Sequence, residues 1–311
     1  MGSVSSTALQ QRSPNEWSYD NCPTWGQRFP KCNGQLQSPI HLQTSKAFFP
    51  PLAPIQFLNY NIPLPGNLTL SNNGHTISLP IPPTENGARP CISGGKLPGT
   101  FEAIRVHFHW GSRTSRGAEH VINGQRFDAE LHIVHKNVKY ATFAEAAAYE
   151  DGVAVLAIMV NIGRYVDRIY PAIDAFINMV PRVATYQSTT PLGLRITLGH
   201  LLGDVNTSEF FTYPGSLTTP DCSESVTWTV FPYPIYISLQ QMQKFWSLRD
   251  HAITDNIPTT ISSVKIHQLG TSEEISDITT QTFSMSSPMT TPNRPNVANF
   301  LKLPINTNAQ Q

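Results

Sequence analysis

The segment Phe101–Trp110, which reads FEAIRVHFHW, decides the fold prediction for this chain. Its polar and apolar residues alternate, and this pattern predicts a β-strand, because successive side chains of a strand point to opposite faces. His107 and His109 therefore share one face with Arg105, while the apolar residues between them point the other way. The segment thus predicts a strand with one side towards a core and one side that carries two imidazoles.

A second alternating segment, Phe127–His135, places Glu130 and His132 on one strand face. An Asn-Gly turn precedes it, so the two strands can be neighbours that bring His132 beside the first two histidines. Three imidazoles can hold Zn²⁺ and leave a fourth position for water, which distinguishes a catalytic from a structural zinc site. A lone His-x-His pair is also common as a hydrogen-bonded or surface pair, so the spacing alone leaves both interpretations open.

The composition excludes several classes of protein. The chain has 311 residues, of which 40% are apolar and 14% charged, with 21 basic and 21 acidic side chains. This balance gives no basic surface for nucleic acid, so we expect no nucleic-acid partner. The longest apolar run, Val153–Val160, is far shorter than the roughly 20 residues of a membrane helix, so we expect no transmembrane segment.

The other sequence signals favour many short elements. The 26 prolines suit strands joined by turns, and the pairs Thr142/Glu145 and Ser238/Gln241 have the spacing of helix capping boxes. The further predicted elements are a hairpin of Leu68–Leu70 and Thr76–Leu79, a strand covered on both faces at Val153–Val160, and helices beginning near Phe143, Pro171 and Ser238. We therefore expect a mainly β, α+β fold.

The predicted organisation is a single domain. Residues 17–305 form the domain, preceded by a flexible segment at 1–16 and followed by a tail at 306–311. A Ser/Thr-rich stretch at about 271–292 has little pattern and reads as an exposed insertion.

Several longer motifs resemble the α-class carbonic anhydrases over about residues 17–250. The motifs that carry the resemblance are Trp17-Ser18-Tyr19, Gln37-Ser38-Pro39-Ile40, Ser71-Asn72-Asn73-Gly74-His75, Phe108–Ser112, Ala129–His135 and Tyr213–Pro220. The resemblance implies a large twisted, mostly antiparallel central sheet with short peripheral helices. It also implies reversible, zinc-dependent hydration of carbon dioxide to bicarbonate and a proton through zinc-bound hydroxide.

The resemblance assigns roles to single residues at the metal. It implies that His107, His109 and His132 bind Zn²⁺. It further implies that Thr218 accepts a hydrogen bond from the zinc-bound hydroxide and donates its own hydroxyl hydrogen to Glu119. Sequence spacing alone would make both of these ordinary polar residues.

The resemblance also implies how substrate and protons are handled. Thr219 helps to hold bicarbonate, and His75 carries protons to solvent through waters ordered by Tyr19 and Asn73. An apolar wall for carbon dioxide is formed by Leu217, Val134, Val155, Val226 and Trp228. The expected ligands are carbon dioxide, bicarbonate, small anions and sulfonamide-type inhibitors, and the oligomeric state is left open.

Arg105 departs from the family pattern. Arg105 and Glu130 lie next to the ligand histidines in sequence, and the family usually has glutamine at the first position, which accepts the free N–H of His107. Arginine has five donors and no acceptor, so it cannot do this. We expect a slower enzyme. The alternative is a non-catalytic, carbonic-anhydrase-like binding or extracellular matrix protein.

The cysteines and sequons bear on the compartment. The resemblance to secreted members implies a Cys32–Cys222 bridge, while Cys22 and Cys91 can pair or remain thiols. The glycosylation sequons begin at Asn67 and Asn206. Residues 1–16 contain no apolar stretch like that of a signal peptide, yet the cysteines favour a secreted or extracellular protein, with a cytoplasmic one as the alternative.

Overall fold

The computed structural model describes residues 17–163, 170–249 and 281–282. The predicted N-terminal segment 1–16 and the tail 306–311 lie outside these residues, and only Gln281–Thr282 of the predicted insertion 271–292 lies within them. In the described ranges, no helix is both long and apolar enough to cross a bilayer.

Short strands and short helices make up the fold. The strands are β1 (His41–Leu42), β2 (Ala53–Leu58), β3 (Thr69–Asn72), β4 (Ile77–Pro80), β5 (Cys91–Gly95), β6 (Phe101–Trp110), β7 (Val121–Ile122), β8 (Gln125–Arg126), β9 (Ala129–Asn137), β10 (Val153–Ile162), β11 (Thr189–Pro191), β12 (Phe211–Gly215), β13 (Val226–Ile237) and β14 (Gln281–Thr282). The α-helices are α1 (Trp25–Arg28), α2 (Phe143–Ala146), α3 (Pro171–Met179), α4 (Leu198–Leu202) and α5 (Leu239–Phe245). Short 3₁₀ helices lie at Tyr19–Thr24, Pro30–Asn33, Thr44–Lys46 and Val180–Val183.

One sheet of eleven strands organises the domain. Its order is β11-β3-β4-β6-β9-β10-β13-β12-β14, and β5 joins β6 to β2 beside this path. Strands β10 and β13 are parallel, and the other described pairs in this sheet are antiparallel. A separate small sheet has the order β1-β7-β8. The expected mostly antiparallel central sheet with short helices around it is confirmed.

The sheet is covered by apolar packing on both faces, as β10 shows. Its residues Val153 to Val160 are all buried, and alternate residues belong to two different apolar clusters. On one face, helices α3 and α5 cover β6, with the Phe108 ring 5.0 Å from Phe176 and 5.2 Å from Phe245. Truncating a buried aromatic side chain of this kind lowers the free energy of unfolding by about 3–5 kcal/mol. This packing therefore fixes which face of β6 lies against the helices and which face carries His107 and His109.

The register between β6 and β9 places the histidines. His107 lies directly opposite His132, and His109 lies opposite Glu130. The predicted bounds of β6 are confirmed, whereas β9 runs from Ala129 to Asn137 and not from Phe127 to His135. The strand continues past His135 because the polar side chains beyond it are buried with partners: Lys136 Nζ lies 3.0 Å from Glu102 Oε1.

Two predicted helix starts differ in detail. At α5, the Ser238 side chain accepts from Gln241 N–H and the Gln241 side chain accepts from Ser238 N–H, so this capping box is confirmed. At α2, Thr142 accepts the N–H of Glu145, but the Glu145 carboxylate accepts from Ala141 N–H. The second bond of that predicted box is therefore wrong.

Candidate metal centre and active site

Three histidine side chains from β6 and β9 converge on one point. His132 Nδ1 lies 3.1 Å from His109 Nε2 and 3.3 Å from His107 Nε2. The three nitrogens come from different positions on two paired strands, and the direct pairing of His107 with His132 sets their approach. His109 and His132 are almost fully buried, so these two ligand candidates lie inside the domain and not on its surface.

The three histidines are uncharged at neutral pH, as binding of a cation requires. Burial lowers the pKa of His107 and His109 well below the usual value, and the neighbouring histidines lower each further. Burial also lowers the pKa of His132, although hydrogen bonding and attraction by Glu130 oppose the shift. At neutral pH the rings are therefore uncharged, which is the form of imidazole that binds a metal.

A buried carboxylate fixes the orientation of the third ring. Glu130 Oε1 accepts hydrogen bonds from His132 Nε2 at 2.7 Å and from His120 Nδ1 at 2.6 Å, and Glu130 Oε2 accepts from the His120 backbone N–H at 2.8 Å. Burial alone would raise the pKa of Glu130, but these histidine contacts outweigh it and hold the pKa well below its usual value. With its Nε2–H donated to Glu130, His132 turns the lone pair of Nδ1 towards the other two rings.

The donor set fits a tetrahedral zinc ion. Zinc–nitrogen distances of about 2.0–2.1 Å in a tetrahedron separate the ligand nitrogens by about 3.3 Å, and the two measured separations are 3.1 and 3.3 Å. A second group of potential ligands, His120, Glu130 and His132, is also close together. Its nitrogen–oxygen distances of 2.6 and 2.7 Å are those of hydrogen bonds, so this group supports the first and does not compete with it.

The first two histidines differ from the third in their outer nitrogens. His107 Nδ1 and His109 Nδ1 are buried, and neither has a hydrogen-bond partner within the part of the chain that the structure describes. Arg105 lies two positions before His107 on the same strand, and its Cζ atom is 5.9 Å from the centre of the Phe143 ring. No acceptor from position 105 reaches His107, as expected for an arginine.

Glu119 lies beside the histidines, and Thr218 is a buried residue of another segment. Glu119 is completely buried, and its Oε2 is 3.4 Å from His109 Nε2 and 3.9 Å from His132 Nδ1. Thr218 is buried, and Thr219 beside it is half-buried. Glu119 follows β6 in the connection to β7, whereas the threonines follow β12, so two distant parts of the chain supply these groups.

An apolar surface adjoins the same side of the sheet. The five residues predicted for this wall lie in or against one apolar cluster, and they are Val134, Val155, Val226, Trp228 and Leu217. Val155 is paired with Val134 on one side and with Trp228 on the other, and the Trp228 ring centre is 5.0 Å from that of His132. The apolar wall therefore reaches the histidines.

Comparison with known proteins decides the family. The model of the eukaryotic-type carbonic anhydrase family matches residues 20–267. Carbonic anhydrase 7 of Mus musculus is 37% identical over 244 residues, covering 75% of this chain and 85% of the mouse protein. Carbonic anhydrase 7 of Homo sapiens is 36% identical over 244 residues, with the same coverage of 75% and 85%. The chain belongs to the α-class carbonic anhydrases. The predicted family and enzyme class are thereby confirmed.

The histidine expected to carry protons in a carbonic anhydrase lies at an aromatic cluster. His75 follows the tight turn after β3, where Asn73 Oδ1 accepts the backbone N–H groups of His75 at 3.0 Å and Thr76 at 2.9 Å. The His75 ring is stacked on Trp17, with ring centres 3.7 Å apart. Tyr19 lies at the edge of the same histidine, 6.2 Å between ring centres. The structure thus brings His75, Tyr19 and Asn73 together.

A disulfide supports the segment that carries the threonines. Cys32 and Cys222 are joined, with their Cα atoms 4.9 Å apart. Leu217 N–H donates to the Ser223 carbonyl and Cys222 N–H donates to the Thr219 carbonyl, so the segment between them closes on itself. Among the described cysteines, Cys22 and Cys91 remain thiols, the first buried and the second half-buried.

Sequence reasoning missed two partners of these groups, Trp17 and Tyr213. Trp17 was recognised only as part of a motif, yet it provides the stacking surface for His75. Tyr213 lies 2.7 Å from His120 Nε2 and donates to Ser38 Oγ, which extends the hydrogen-bond network behind Glu130. Alternation along a strand marks buried polar positions but not their partners from other segments.

Proposed function

We propose that this protein catalyses the reversible hydration of carbon dioxide to bicarbonate and a proton at a zinc ion held by His107 Nε2, His109 Nε2 and His132 Nδ1. The observation that carries the proposal is the convergence of three uncharged imidazole nitrogens at tetrahedral separations. When bound, zinc supplies a Lewis acid that lowers the pKa of a water molecule at its open position to about 7, as is general in carbonic anhydrases.

Glu119 and Thr218 orient the attacking oxygen in this proposal. The Thr218 hydroxyl accepts a hydrogen bond from the nucleophile and donates its own hydrogen to the Glu119 carboxylate, which accepts only when it is ionised. Both residues are buried, and Glu119 Oε2 lies 3.4 Å from His109 Nε2, so the carboxylate stands beside the metal ligands. The threonine then directs a lone pair of the nucleophile towards carbon dioxide.

The apolar wall positions a substrate that cannot be held by strong hydrogen bonds. Carbon dioxide is apolar, and the wall of Val134, Val155, Val226, Leu217 and Trp228 offers it a water-poor surface beside the histidines. The product is an anion and needs hydrogen bonds, which we assign to Thr219. The same position suits small anions and sulfonamide-type inhibitors.

His75 carries the proton out. A histidine with an ordinary pKa near 6.5 accepts a proton from water and releases it to buffer at neutral pH. His75 is stacked on Trp17 and is only half-buried, so part of the residue reaches solvent. Burial, with the charge of Glu119, raises the pKa of Tyr19 well above its usual value, so its phenol stays protonated and orders water without taking the proton.

Arg105 slows the reaction in this proposal. It provides no acceptor for His107 Nδ1, which has no partner within the described residues. Loss of such an outer hydrogen bond lowers metal affinity or activity by about 10–100-fold.

We also propose that the protein is secreted and glycosylated. The buried Cys32–Cys222 bridge supports an oxidising compartment. Asn67 is exposed in a turn, which supports its sequon as a glycosylation site, whereas the Asn206 side chain already bonds Glu209. Treatment of the native protein with a peptide N-glycosidase tests this: its mass should fall as N-linked glycan is removed. An Asn67→Gln variant is the control.

Stopped-flow measurement of carbon dioxide hydration, with zinc content determined on the same samples, tests the catalytic proposal. We expect one zinc per chain and turnover in the parent protein. His107→Ala should remove both, whereas His120→Ala should keep most of the zinc, because His120 acts only through Glu130.

The competing interpretation is a non-catalytic binding or matrix protein with the same fold. One bound zinc per chain without turnover in either the parent or Arg105→Gln would support it and overturn the catalytic proposal. A gain of turnover in Arg105→Gln over the parent would support both the enzyme and the slowing role of the arginine.

A further inference from the structure

Arg105 is a cation on the metal-facing side of the sheet, and none of the described residues forms an ion pair with it. It lies on β6 between β4 and β9, opposite Pro80 and Val134, so its side chain cannot leave the face that it shares with His107. Its Nε is buried and has no acceptor among the described residues, whereas the residue as a whole is only half-buried. The tip of the guanidinium therefore reaches solvent-accessible space beside the histidines.

The nearby carboxylates are engaged elsewhere. Glu102, on the same strand, pairs with Arg89 at 3.2 Å and Lys136 at 3.0 Å. Glu130 is bound by His120 and His132, and Glu119 lies against His109. No ion pair of Arg105 occurs within the described ranges.

An aromatic ring lies beside the guanidinium. The Cζ atom of Arg105 is 5.9 Å from the centre of the Phe143 ring, and Phe143 packs against the apolar cluster that contains the wall residues. A cation–π contact uses none of the N–H donors of a guanidinium, so the donors at its edge remain available for hydrogen bonds. Such an edge matches the two oxygens of a planar oxyanion.

We propose that the N–H edge of Arg105 is a binding site for a planar monoanion beside the three histidines, and that its natural occupant is bicarbonate. The identity of the occupant rests on the proposed function, because bicarbonate is the planar anion that the reaction forms there. Arg105 is thus a positioning residue for the anion. Position 105 no longer supplies a hydrogen-bond acceptor for His107, and instead it holds the product.

The charge of the site agrees with an anion as occupant. Arg105 adds one positive charge beside the three imidazoles. Arg126 adds another beside Glu119 and Glu130. With a divalent cation bound, the positive charges outweigh the two carboxylates by more than they would with a glutamine at position 105. A monoanion therefore offsets positive charge that this chain has in excess.

Equilibrium binding of nitrate and of chloride to the zinc-loaded protein tests the proposal without measuring turnover. The proteins compared are the parent, Arg105→Gln, Arg105→Lys and the control Arg113→Gln, which removes an exposed arginine whose Cζ atom also lies near a ring, 5.3 Å from the centre of Trp246. We expect nitrate to bind Arg105→Gln about tenfold more weakly than the parent, with chloride much less affected. Arg105→Lys should keep the charge but lose the preference for nitrate over chloride.

The outcomes separate this inference from the proposed function. Equal nitrate affinity in the parent and Arg105→Gln overturns the anion site, even if both hydrate carbon dioxide. Arg105-dependent nitrate binding without turnover supports the anion site and overturns the proposed function. In an active protein, the KM for bicarbonate in the dehydration direction should rise about tenfold in Arg105→Gln, while the hydration kcat does not fall.

Discussion

Glu130 Oε1 accepts a hydrogen bond from His132 Nε2 at 2.7 Å, on the side of the imidazole opposite the other two candidate ligands. This single contact settles which nitrogen of His132 carries the proton. The remaining nitrogen, Nδ1, then faces His109 Nε2 at 3.1 Å. The orientation of the third candidate ligand thus depends on a carboxylate that is bonded to both His132 and His120.

Replacing that carboxylate should weaken zinc binding. Glu130→Gln keeps the shape but removes the charge that favours donation from His132, so we expect zinc affinity to fall about 10–100-fold. Competition with a chromophoric chelator measures this. Glu150→Gln, at an exposed carboxylate, is the control. Equal zinc affinity in Glu130→Gln and the parent would show that the hydrogen bond does not orient the ligand.

The Cys32–Cys222 bridge should contribute strongly to stability. It joins residues 190 positions apart, so it removes much freedom from the unfolded chain. We expect Cys32→Ala with Cys222→Ala to lower the free energy of unfolding by about 2–5 kcal/mol in urea titrations. Cys91→Ala, at a half-buried thiol, should change it much less. A double variant as stable as the parent would contradict this prediction.

His135 should make the fold sensitive to acid. It is completely buried and lies 2.5 Å from the Tyr60 hydroxyl, and burial lowers its pKa to about 3. The unfolded chain takes up this proton near pH 6.5, but the folded protein does so only near pH 3, so folding stability falls as the pH drops through this interval. Between pH 7.5 and pH 4.5 the loss from this residue should be roughly 2–3 kcal/mol.

Comparison of variants isolates that contribution. The free energy of unfolding of His135→Gln should fall less than that of the parent over the same pH interval, even though the variant starts less stable. Burial lowers the pKa of the half-buried His200 as well, so His200→Gln should also reduce the fall, but by less than His135→Gln does. Parallel pH profiles for the parent and His135→Gln would refute the assignment.

Proton export through His75 should be limited by buffer. His75→Ala should hydrate carbon dioxide at least about a hundredfold more slowly than the parent in dilute buffer, because general acid–base transfer by a positioned side chain is lost. Added imidazole should restore much of the rate in stopped-flow traces. A variant that stays as fast as the parent in dilute buffer would mean that another group exports the proton.

Local pattern was sufficient for the elements that carry the site. Alternation in Phe101–Trp110 predicted β6 with its bounds, and the apolar run beginning at Val153 predicted a strand covered on both faces. These two predictions succeeded because the order of apolar and polar residues within each strand determines which of its residues are buried. The prediction for β9 failed at the ends, because Lys136 and Asn137 are polar in sequence but are buried by partners from other segments.

Contacts between distant segments could not be predicted from local sequence patterns. Spacing suggested that His132 could approach His107, but only the strand register places them directly opposite each other. The stacking of Trp17 on His75 and the bond between Tyr60 and His135 each join parts of the chain that no local pattern relates. Such contacts depend on the fold as a whole, so the sequence around these aromatic residues does not indicate them.

Exchange of ¹⁸O between labelled bicarbonate and water, measured per bound zinc, tests the central claim most directly, because it follows the interconversion of carbon dioxide and bicarbonate at equilibrium. In metal-free protein titrated with zinc, the exchange rate should rise in proportion to bound metal and stop at one equivalent. His107→Ala should show no exchange above the uncatalysed rate. One equivalent of zinc bound by the parent with no exchange above that rate would contradict the account.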